Sequence, residues 1–167
     1  MSQLDVVNVM RDLLECARAE VQRQDNTWDG RLCMNPYSVP TRDDCCGGQI
    51  QGTIVRYFSF DTFPLDQITS TPCNAFGMAA DVVISIYDCF TGMGQHGQPR
   101  DCVSLDNATD LVTVQAAAVW NGVLCCLNEM DIDWLFRSQL ILDNEQGGCI
   151  GSDLSLTLGV GFGCPCG

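Results

Sequence analysis

GMAADVVISIYDCF, residues 77–90, decides the fold. Ala80, Val82, Ile84 and Ile86 alternate with Asp81, Val83, Ser85 and Tyr87. A period of two with β-branched residues on both sides is the pattern of a strand with neighbours on each edge. The stretch therefore predicts a central strand, and its surroundings have to supply the rest of a sheet and its cover.

Upstream, QIQGTIVRYFSF (49–60) is rich in β-branched and aromatic residues and predicts a second strand, with Ile50, Ile54 and Phe58 on one side and Thr53, Val55 and Tyr57 on the other. The turn-prone DTFPLDQITSTPCN joins the two. Downstream, WLFRSQLIL and IGSDLSLTLGVGF flank DNEQGG, a hairpin signature with Gly147 and Gly148 at its turn. In its second arm Leu154, Leu156, Leu158, Val160 and Phe162 alternate with small or polar residues, predicting one dry and one wet face.

Two helices complete the layer. Val6, Val7, Met10, Leu13, Leu14, Ala17 and Val21 recur at spacings of three and four within residues 1–24, and Ser2 or Asp5 can cap the start. The second, 108–128, is capped by Asn107 or Thr109 and shows Ala117, Trp120, Leu124 and Leu127 as a stripe. Between strand and helix, residues 91–107 are broken by glycine and proline and predict a long exposed loop. RLCMNPYSVPTRDDCCGG, 31–48, reads as an irregular segment. The whole predicts one α+β domain over 1–167: a mainly antiparallel sheet, strands at 49–89, a hairpin at 134–162, two helices packed on one face, and a tail at 163–167.

Composition narrows the function. Twenty-one carboxylates against eight cations give a formal net charge of −13, which repels phosphate backbones and argues against nucleic-acid binding. All eight cations are arginine, a bias that codon composition alone can produce, although arginine's planar fork also suits ion pairs between subunits. No run approaches the roughly 20 apolar residues of a membrane span, and the first residues carry charge where a signal peptide needs an apolar stretch, so synthesis in the cytosol is expected. Twelve cysteines then read as buried thiols.

Catalytic patterns are sparse. The chain has no CxxC and one histidine, His96, so neither a zinc site nor a thioredoxin-like motif is spelled out. No nucleophile signature surrounds His96, and the carboxylate pairs Asp43/Asp44 and Asp131/Asp133 have the ordinary look of solvated turns. GVGFG at 159–163 follows no strand-to-helix turn, so it predicts close backbone approach rather than a phosphate cradle. The expectation is a chain with no catalytic residues, no metal and no cofactor, whose surfaces are its function.

One motif stands apart: DDCCGGQ, 43–49. Gly47 and Gly48 are expected to make a bend closed to other residues, starting the strand at Gln49. Cys45 or Cys46, though not both since adjacent side chains diverge, is expected to meet the GGC turn of Gly147, Gly148 and Cys149, as a disulfide or as reduced filler.

Taken together, DDCCGGQIQGTIVRYFSF, the LCCL of the second helix and QGGCIGSDLSLTL resemble a family of small neck and tail-end proteins of long-tailed actinobacterial phages, over roughly residues 40 to 160. The resemblance implies a structural virion protein of the head-to-tail connection. The element order is similar to that of tail terminators, which implies a hexameric ring capping the tail tube. Its implied partners are further copies of itself, the tail tube protein and neck or connector proteins, with DNA passing through unbound and no membrane. The implied place is the head–tail junction of the virion, after assembly in the host cytoplasm. A neck stopper or connector ring is the neighbouring alternative; a cysteine-dependent metal or redox protein is the alternative of another class.

Overall fold

A computed structural model describes residues 6–36, 47–60, 63–64, 77–89, 101–130, 132–136, 141–146 and 149–162. The elements are α1 (Val6–Gln24), β1 (Arg31–Asn35), β2 (Gln49–Phe60), β3 (Gly77–Cys89), α2 (Cys102–Glu129), β4 (Trp134–Phe136), β5 (Ile141–Gln146) and β6 (Cys149–Phe162). They form an α+β fold: a mixed, mostly antiparallel sheet with two helices packed against it. The strand order is β1-β2-β3-β6-β4, and β5 also pairs with β6. As the alternation predicts, β3 is central.

Both helices share one core with one sheet face. Ala80, Val82, Ile84 and Ile86 of β3 meet Leu154, Leu156 and Leu158 of β6, and above them lie Met10, Leu13 and Leu14 of α1 with Val119, Val123 and Leu127 of α2. Helix α1 lies over β1 and β2, α2 over β3, β5 and β6. The α1 stripe is buried as its periodicity predicts, with Val9 added and Val7 half-buried. Gly52, on the core side of β2, leaves room for Met10, Met34 and Leu14 where a Cβ would collide.

Four sequence expectations are corrected. Residues 31–35 are not irregular: RLCMN forms β1, parallel to β2, with Arg31 opposite Gln49 and Asn35 opposite Thr53. Helix α2 starts at Cys102 rather than 108, because Asp101 is its cap; the Asp101 carboxylate accepts from the Ser104 N–H at 2.7 Å. That bond holds the Asp101 carboxyl below its ordinary range, so the cap is in place above the unfolded-state value and is lost as pH falls through the lowered one. The expected 134–162 hairpin is three strands, since β4 and β5 share one edge of β6. Phe136 is opposite Leu156 and Ile141 opposite Asp153, so β4 and β5 meet β6 in registers two residues apart. Finally, β2 has a bulge at Val55, between Ile54 and Arg56. The extra residue turns Phe58 to the far face, where it packs on Ala79 and Phe63, away from Ile50 and Ile54.

The expected stripe of α2 is also rotated. Ala117 is exposed, and Trp120 and Leu124 are half-buried, Trp120 stacking on Phe136 at 4.7 Å. The seam toward α1 is instead lined by small residues. A Cβ on Gly122 would lie 2.6 Å from the Cys16 carbonyl oxygen and 3.0 Å from the Ala17 Cα. Since backbone and not a flexible side chain stands there, Gly122→Val is expected to lower the free energy of unfolding by about 1–3 kcal/mol, measured by urea titration. A cost below the error of that titration would show that the helices part freely.

By length and composition α2 is apolar enough to cross a membrane, which corrects the expectation that no segment is. Half of its apolar window is buried against α1 and the sheet, the situation of a core helix.

Candidate assembly surface

The bend before β2 has the expected form. Gly47 and Gly48 carry φ values of +101° and +82°, and β2 begins at Gln49. Nothing lies within 4 Å of a Cβ placed on Gly47, whereas one on Gly48 would be 2.5 Å from Trp28 Nε1. The Trp28 ring, 6% exposed, also covers Gly30, and the Arg31 N–H donates to the Gly48 carbonyl at 3.2 Å. Gly30 and Gly48 thus leave room for an indole between the end of α1 and the β1–β2 pair. Of the other predicted motif residues, Cys45, Cys46, Gly147 and Gly148 lie outside the described residues, and so does the expected meeting of Cys45 or Cys46 with the turn. Cys149 is described: it opens β6, is buried, and stands opposite Cys89 in the register. The register pairs Gln146 with Cys149, leaving a two-residue connection between β5 and β6.

The cysteines correct the reading of the twelve as buried thiols. Cys16 of α1 and Cys126 of α2 form a disulfide with a Cα separation of 6.2 Å, and Cys89 and Cys149 each take part in a disulfide as well. Cys33, Cys102 and Cys125 are free, the last two exposed. Burial pushes the Cys33 thiol up, against the opposing pull of nearby Arg31 and of the Gln49 amide that donates to its sulfur at 3.3 Å. A raised thiol is a poor nucleophile at neutral pH. Beside the bridge, Cys16, Glu20, Arg23, Asn121, Cys125 and Glu129 help to line an open cleft of about 300 Å³ between the helices.

The sheet face away from the helices is polar and yet buried, which revises the expected wet face. Gln51, Thr53, Ser85 and Thr157 are fully enclosed and Asp81 is 7% exposed. Asp81 accepts from Arg56 Nε at 2.7 Å and from the Thr157 hydroxyl at 2.7 Å, and the guanidinium lies 4.8 Å above the Phe58 ring. Tyr87 spreads over Gly151 and donates its hydroxyl to Asp153 at 2.7 Å. On the helix side Asp88 accepts from Gln115 at 2.9 Å. These carboxylates are tied into strand-to-strand and strand-to-helix contacts, which suits holding the sheet together rather than proton transfer.

Among the described residues no three histidine, cysteine or carboxylate side chains gather as a metal site. Asp133 is exposed, while its partner Asp131, the pair Asp43/Asp44 and His96 fall outside the described residues. Sequence reasoning missed the Cys16–Cys126 bridge and the Arg56–Asp81–Thr157 network. The first had no local signal; the second was hidden by the bulge at Val55, which brings Arg56 into register with Asp81. No protein-family model matches the chain, and no curated protein is similar to it.

Proposed function

We propose that the protein is a structural component of the phage head-to-tail connection, a tail terminator that assembles as a hexameric ring on the tail tube. The observation that carries this reading is the glycine bend. In the family that the sequence resembles, a DCCGGQ segment leads into a strand, and here Gly47 and Gly48 adopt positive φ and open β2 at Gln49. The element order, helix, sheet, helix and terminal strands, supports it in the same way.

Two physical features agree. A net charge of −13 presents repulsion to phosphates wherever carboxylates line a channel, so DNA slides without being held. Disulfides persist in oxidising surroundings, and a particle released by lysis spends its working life there. The reaction class is none: the chain acts through its contacts with copies of itself, the tail tube and the neck.

Native mass spectrometry of the purified chain, with electron microscopy of the virion neck, tests this. The expected result is a closed ring of six copies at the head–tail junction. A chain that remains monomeric at high concentration, together with its absence from the junction, overturns the reading.

A further inference from the structure

A folded disulfide exchanges with outside thiols only where a path leads to its sulfurs, and the bridge between the helices has one. Cys16 and Cys126 both border the open cleft of about 300 Å³, together with Ala19, Asn121 and the exposed free thiol Cys125. That volume is at the lower end for small-molecule clefts, so it suits a low-molecular-weight thiol. The two halves of the bridge are not equally accessible. Cys16 is half-buried, whereas Cys126 is 8% exposed. A nucleophile entering from solvent therefore meets the Cys16 side first.

The enclosed half has a place for the proton it would gain. Cys126 Sγ lies 3.8 Å from the Asp12 carbonyl oxygen, which can accept the S–H of a released thiol. Cys149 provides a contrast within the same chain. It too is disulfide-bonded, but it is 4% exposed and packed against Tyr87, so solvent does not reach it.

We propose that the Cys16–Cys126 bridge is a thiol-exchange site, at which a low-molecular-weight thiol entering the cleft forms a mixed disulfide with Cys16. The entering thiolate bonds to Cys16 Sγ as the Cys16–Cys126 bond breaks. The Cys126 sulfur leaves with the electron pair and takes up a proton from water. A second thiolate then attacks the small molecule's sulfur, freeing Cys16 and completing a small-molecule disulfide. Two small thiols are oxidised to one disulfide while the bridge is reduced to two thiols. The covalent tie between α1 and α2 is thereby set by the surroundings, open where small thiols are abundant and closed where they are not. None of this depends on ring formation.

The test incubates the folded Cys125→Ser chain, which lacks the neighbouring free thiol, with reduced glutathione, stops the reaction with N-ethylmaleimide and maps the peptides by mass spectrometry. Glutathione is expected on Cys16 and maleimide on Cys126, at a rate proportional to glutathione concentration, while Cys149 stays bridged. Ala19→Trp fills the cleft from α1 and Asn121→Trp from α2; both positions are exposed, so the thermal melts should match that of the parent. Either substitution is expected to slow the exchange at least about tenfold. A bridge that does not react, glutathione on Cys126 instead of Cys16, or an unchanged rate in both filled variants overturns the proposal. So does a rate independent of glutathione, or release of Cys149 as fast as Cys126, because either shows that the bond is reached only by unfolding.

Discussion

Gly48→Ala is expected to lower the free energy of unfolding by about 3 kcal/mol, while Gly47→Ala costs about 1–2 kcal/mol. Both positions have positive φ, so any L side chain incurs the torsional cost of the left-handed region. Only Gly48 adds a collision, since its Cβ would stand 2.5 Å from the Trp28 indole nitrogen. That ring is enclosed and cannot swing into water without exposing the seam between α1, β1 and β2. Chemical denaturation of the two variants checks the difference. A double-mutant cycle with Trp28→Ala isolates its cause: the extra cost at Gly48 should shrink to that seen at Gly47. Equal costs at both positions in the wild-type background would remove Trp28 from the explanation.

Breaking the Cys16–Cys126 bridge is the second large effect. The linked residues are 110 apart in sequence, and in the chain-entropy model a loop of that size contributes about 4–5 kcal/mol. Urea unfolding of Cys16→Ser/Cys126→Ser against the oxidised wild type measures it. Cys125→Ser should leave the midpoint within experimental error, because that thiol is exposed and free. If losing the bridge costs less than 1 kcal/mol, the helical seam is held by packing alone.

How much of this could be read from the sequence depended on whether the signal was local. The β3 alternation was legible because Ala80, Val82, Ile84 and Ile86 repeat without interruption, and α1 because its stripe spans five turns. The glycine bend was legible because only glycine tolerates that backbone. Where one residue shifted a pattern, reading failed: the bulge at Val55 carried Phe58 across the sheet. On α2 the large residues misled, since Trp120 found a partner in Phe136 at the flank and the true seam needed glycine and alanine for close approach. Strand β1 was invisible because five residues beside two prolines acquire strand character only by pairing with β2. The Cys16–Cys126 pairing is a property of the folded topology and has no sequence spacing to announce it.

The rim built from β4 and β5 bears on how copies avoid the wrong assembly. A long flat edge is a template on which further strands can stack without limit, the route to fibres. Here the outer rim is cut into pieces of three and six residues, which meet β6 in registers two residues apart. An incoming strand that finds register on one piece is out of step on the other. In the proposed ring, copies held side by side would be denied an endless ladder.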